Sequence, residues 1–130
     1  PPTDDGSRAA EVVEKLLREE PPYGAQVTFA LESSVGGWNA PALAPWLRAA
    51  VERGSQAGFG RAAALMGEGA SIPFMTMLGE RFPDAQFVIT GVLGPQSNAH
   101  GPNEFLHIPT ARRLSLALVS ILADHFNRTG

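Results

Sequence analysis

Two histidines and a glutamate, His100, His107 and Glu104, stand inside residues 91–109, GVLGPQSNAHGPNEFLHIP. The residues around them are largely glycine, proline and short polar types, which shape backbone rather than fill a core. Loops held between regular elements are where binding and catalytic groups concentrate. His100 lies between Ala99 and Gly101, so neighbours in sequence leave its ring uncrowded. A neutral imidazole in such a loop has the chemistry of a metal ligand. The plainer alternative is a hydrogen-bonded surface histidine. Glu104 follows four residues later, and the intervening Pro102 argues against a regular helix there. It reads as an acceptor behind His100 or as a loop fastener. His107, just before Ile108 and Pro109, reads as structural. His125 falls near the end of the last expected helix, where a cation complements the dipole.

A second stretch, GEGASIP at 67–73, presents backbone N–H groups at an expected helix start. Such a start suits a carboxylate or an oxyanion. The pattern is neither a phosphate loop nor a dinucleotide fingerprint. Glu68, between two glycines, is either a loop-stabilising carboxylate or a functional one. Trp38, after Gly36 and Gly37, either lines a pocket or anchors a hinge. No Ser-His-Asp order and no carboxylate pair is established. A catalytic zinc takes about three protein ligands, and the chain nominates one, so it does not assemble an active site alone.

The elements that would position these residues follow from periodicity. Ala9, Val12, Val13, Leu16 and Leu17 fall at helical spacing, predicting an amphipathic helix over 8–19 that ends at Pro21-Pro22. Residues 26–31 alternate, with Val27, Phe29 and Leu31 on one side, as a half-buried strand packed on a helix would. A helix opening at Pro45 carries Leu43, Trp46, Leu47, Ala50 and Val51 on its apolar face. Gly54, Gly58 and Gly60 are expected to end it. Short strands are expected at 62–65 and 86–90. A short helix, with Ser71 as cap and Pro73 in its first turn, should reach Leu78. The last helix is expected over 112–125, with Leu114, Leu118, Ile121 and Leu122 on one stripe.

Composition bounds the partners. The 130 residues suit one domain or parts of two, and 44% apolar with 18% charged residues is globular. The net charge of −3 without a basic stripe argues against nucleic acid. There is no cysteine for a disulfide or a thiolate zinc site. No apolar run approaches the roughly 18 residues of a membrane span, and the first residues lack signal architecture. A cytoplasmic protein is the expectation. Pro1-Pro2 reads like the middle of a longer polypeptide.

With these stretches in hand, the chain resembles the C-terminal part of a dizinc peptidase family, metallopeptidase family twenty. Its members include carnosinase-type dipeptidases, aminoacylases and glutamate carboxypeptidases. The resemblance runs through PPTDDGSRAAEVVEKL, GWNAPAL, GEGASIPFMTMLGERFPDAQFVITGVLGP and SNAHGPNEFLHIP, essentially the whole chain. It implies an α/β (α+β) fold. Residues 1–35 would be the second half of a ferredoxin-like lid and dimerisation domain. Residues 36–130 would be the C-terminal part of a mixed-sheet catalytic domain that carries two zinc ions.

The resemblance also assigns roles. His100 takes the place of a zinc-ligating histidine. Gly69, Ala70 and Ser71 match the loop that holds the substrate's carboxylate or nearby carbonyl, with Trp38 and Asn98 as further substrate-binding candidates. Glu104 and Glu68 would stand behind them. The usual pair at 69–70 is Gly-Gly, and the methyl group of Ala70 would narrow the backbone's approach to substrate. The family's other metal ligands, its general-base glutamate and its substrate-gripping arginine would precede Pro1.

The implied activity is hydrolysis of a dipeptide or N-acyl amino acid by zinc-bridged water that a glutamate deprotonates. This chain alone would then be inert, without stoichiometric zinc, and dimeric or domain-swapped. Its partners would be a peptide or N-acyl amino acid substrate and a second copy. The other reading is a non-catalytic dimerisation or binding module derived from the same fold.

Overall fold

The computed structural model describes residues 2–67 and 73–128. Four helices carry its regular structure: α1 (Gly6–Arg18), α2 (Pro45–Phe59), α3 (Pro73–Arg81) and α4 (Ile108–Phe126). A single 3-10 turn, Pro22–Gly24, follows α1. Among the described residues there is no strand and no sheet. The expected α/β mixed-sheet architecture is therefore corrected to four helices joined by extended and turning segments.

The physical reason lies in what alternation specifies. Val27 and Phe29 are half-buried while Gln26, Thr28 and Ala30 are exposed, but Leu31 is exposed too, so the alternation holds only as far as Phe29. A strand also needs a neighbour about 4.8 Å away to accept and donate its ladder bonds. Residues 26–31, 62–65 and 86–90 form no such ladder here. Side chains serve some backbone donors instead: Ala44 N–H donates to Gln86 Oε1 at 2.6 Å, and Ala63 N–H to Glu52 Oε2 at 3.1 Å. The expected strands are extended chain that enters no sheet.

The chain divides into two compact units, one drawn from Pro1–Ala40 and Gly67–Ala85, the other from Pro41–Met66 and Gln86–Gly130. In the first unit, α1 begins where the Asp5 carboxylate accepts from Arg8 N–H at 2.8 Å. That bond satisfies a donor with no partner inside the helix. Glu20 at φ 50° and Pro21 stop it. Its apolar stripe, Val12, Val13, Leu16 and Leu17, remains exposed, and α1 buries no residue. The expected packing of a strand on this face is absent.

The second unit holds the core, which is the antiparallel pair α2–α4. Leu47, Ala50, Ala117 and Ile121 are the buried apolar residues, each at most 9% exposed. Two glycines bring the backbones together. A Cβ on Gly54 would lie 2.7 Å from the Ala117 carbonyl oxygen, and one on Gly58 would strike the Arg113 carbonyl oxygen. These glycines stand inside α2 and do not end it. Only Gly60, left-handed at φ 69°, is the C-cap, its N–H reaching Gln56 O at 3.0 Å.

At one end of this pair, Trp46 stacks on His125 with centroids 5.3 Å apart, and the Arg128 guanidinium lies 4.2 Å from the Trp46 ring centre. His125 thus packs on an aromatic face besides sitting near a helix C-terminus. Arg53 and Asp124 pair across the helices at 2.9 Å. Helix α4 starts four residues earlier than its periodicity predicts, because Pro109 fits a first turn and His107 caps it. Leu122, placed on the inner stripe by spacing, is 65% exposed. Ala117 fills the inner position instead.

Candidate functional site

The segment between the extended residues 85–94 and α4 is a closed loop tied by its own hydrogen bonds. Gly94 and Ser97 exchange two: Ser97 N–H donates to Gly94 O at 3.3 Å, and Gly94 N–H to Ser97 Oγ at 3.2 Å. Phe105 N–H then returns to Ser97 O at 3.2 Å, closing the loop across eight residues. Ser97 is 3% exposed, the buried polar side chain among the described residues. Every polar group it buries is bonded, as burial requires.

Inside that ring the backbone is held where L-residues rarely go. Gln96, Asn98, His100 and Asn103 have φ of 61°, 54°, 59° and 60°. A left-handed non-glycine residue costs about 1–2 kcal/mol. Asparagine tolerates the region best, which accounts for two of the four. The bonds around them hold the rest. Gly101 N–H donates to Asn98 O at 2.9 Å, Asn98 Nδ2 to Pro102 O at 2.6 Å, and Glu104 N–H to Gly101 O at 3.3 Å.

His100 sits at the tip with its ring exposed, and its backbone N–H donates to Glu104 Oε2 at 3.0 Å. Glu104 fastens the loop beneath His100 through the main chain. Asn98 turns its amide into the loop, where it also packs against Gly101. An open cavity of about 520 Å³ lies beside them, with His100, Glu104 and Ser97 at its polar side and Leu93, Phe105 and Leu106 along its apolar one.

Trp38 belongs to the first unit, half-buried, with its indole against α3 at Gly79, where a Cβ would lie 2.6 Å from Nε1. Glu68, Gly69, Ala70 and Ser71 lie outside the described residues. Ser97 was not singled out by its type, although a serine three residues after a glycine and two after a proline carries a turn signal.

As a metal site the described residues are incomplete. No group of three or more His, Cys, Asp or Glu among them converges on a point that could hold an ion. Zinc takes about four ligands, and this loop offers one exposed imidazole. The described residues therefore do not fit a resident zinc by themselves. Among them, no helix is long and apolar enough to cross a membrane.

Comparison with known proteins adds a relative. Over 134 aligned residues, 96% of the chain, it is 32% identical to the cysteinylglycine-S-conjugate dipeptidase of Corynebacterium striatum. The chain spans 28% of that relative's length. No family profile and no solved structure matches it. The similarity supports an origin among the peptidases, as a part of one.

Proposed function

We propose that this chain is the C-terminal portion of a zinc-dependent peptidase or amidohydrolase acting on a dipeptide or N-acyl amino acid. The observation that carries this reading is its 32% identity to a dipeptidase along nearly its whole length. In that reading residues 36–130 belong to the catalytic portion and residues 1–35 to the lid. His100 supplies one metal ligand from a loop whose shape is set by Ser97, Asn98 and Glu104. Residues 69–71 bind the substrate's carboxylate end. The remaining ligands and the general base come from preceding sequence, so the 130 residues alone are inert.

The test is to assay the chain alone, and the longer product of its gene, on dipeptides and N-acyl amino acids with added zinc. Hydrolysis is expected from the longer product alone, with His100→Ala removing nearly all of it, as loss of a metal ligand would. Turnover by the chain alone, or full activity with His100→Ala, would refute the assignment.

A second reading has its own observation. The exposed stripe of α1, with Leu16 at 70% exposure, is an apolar face without cover. It suits a dimerisation or binding module. Light scattering across a wide concentration range tests it, and a constant monomer mass would reject self-association.

A further inference from the structure

The cap of α4 is built from an acceptor that acid removes. Residue 107 is the N-cap, a position that serine, threonine, aspartate and asparagine usually fill with a side-chain oxygen. Here the acceptor is imidazole Nδ1, which takes Thr110 N–H at 3.2 Å and lies 2.8 Å from Thr110 Oγ1. Accepting from an N–H requires a lone pair on Nδ1, so the ring is neutral with its proton on Nε2. Protonation at Nδ1 removes that lone pair. The charged ring can still donate to Thr110 Oγ1, but the Thr110 amide loses its acceptor. A cation also then stands at the positive end of the helix dipole.

The same ring closes the base of the His100 loop. A Cβ on Gly94 would lie 2.6 Å from His107 Cγ, so the backbone at 94 rests directly on the imidazole. Gly94 is also the residue that Ser97 holds through two bonds. Among the described residues no ion pair is there to offset a proton on this ring. Residues 91–99, the stretch that includes Gly94, contain no titratable side chain, and neither does the first turn of α4. The nearest charged groups along the chain are Glu104, engaged by His100 N–H, and Arg112 and Arg113. No ion pair joins the ring to a carboxylate among the described residues.

We propose that His107 is an acid-released clasp: its neutral ring caps α4 and seats Gly94, and its protonation frees the helix start and loosens the loop carrying His100. The sign follows from linkage. The capped form holds only the neutral ring, so it loses ground as acid protonates the imidazole. Each further pH unit shifts the equilibrium toward the open form by up to ~10-fold. This inference stands independently of the peptidase reading, since it uses only the loop's own bonds.

The experiment is amide hydrogen exchange by NMR on the 130-residue chain from about pH 8 to pH 5, corrected for intrinsic exchange rates. Thr110 and Phe105 are expected to lose protection together, up to ~10-fold per pH unit, while Ile121 in the helix core stays constant. His107→Asn, which keeps an oxygen acceptor that does not titrate, should flatten the profile, and His100→Ala should leave it unchanged. Constant Thr110 protection while the His107 ring titrates would overturn the proposal. So would an undiminished acid response in a folded His107→Asn variant.

Discussion

The α2–α4 pair and the His100 loop are held by opposite means. The helix pair has a small apolar core, Leu47, Ala50, Ala117 and Ile121, and two glycines that let the backbones touch. Its stability comes from close packing, which fails when volume is added or removed. The loop buries one polar side chain, Ser97, and closes through backbone and side-chain hydrogen bonds around four left-handed residues. Its shape comes from satisfied donors. Packing tolerates loss of a bond at its edge, whereas a hydrogen-bonded loop of this size tolerates loss of contact area and fails when an acceptor goes. A loop of the second kind can present an exposed ring at its tip without burying it.

The contrast can be broken from either side. Leu47→Ala should have the largest effect, about 2–5 kcal/mol, because it opens a cavity at the centre of the pair. Urea unfolding followed by helical circular dichroism checks it. Gly58→Ala should cost about 1–3 kcal/mol by overpacking against the Arg113 carbonyl. Either substitution should weaken the helix pair cooperatively, and equal stability of Gly58→Ala and the parent would show that the backbones separate freely.

Ser97→Ala attacks the loop. It removes the acceptor of Gly94 N–H and should cost about 1 kcal/mol. The distinguishing readout is hydrogen exchange, faster at Gly94 and Phe105 and unchanged at Ala117. Smallest is Asp124→Asn, which breaks the pair with Arg53. Arg53 is exposed, so the change should be about 0.5 kcal/mol or less and should shrink further in high salt.

What was legible in the residues varied with how local the cause was. The amphipathic spacing of Ala9 through Leu17 placed α1 to within two residues. Pro45 and Pro73 marked helix starts because a fixed φ and a missing N–H suit a first turn. Gly54 and Gly58 misled, since a glycine inside a helix resembles a stop until a second helix is seen to press on it. Leu122 misled for the related reason that four positions near one stripe compete for one partner, and Ala117 won by its size. In the loop, glycine, proline and asparagine showed where the backbone would turn. Ser97 stayed unnoticed because its importance lies in two partners, Gly94 and Phe105, on either side of the His100 tip.

By itself the sequence determined the local states: which stretches are helical, which are extended, and that His100 sits uncrowded in a turning segment. These depend on backbone preference and on neighbours within a few positions. Tertiary structure decided whether the extended stretches became strands, which face of α4 was buried, and what His107 holds. A ladder, a helix interface and a cap that seats a distant glycine each require a partner in space. Alternation and periodicity name the side that seeks a partner, and only the folded chain supplies one or leaves it open.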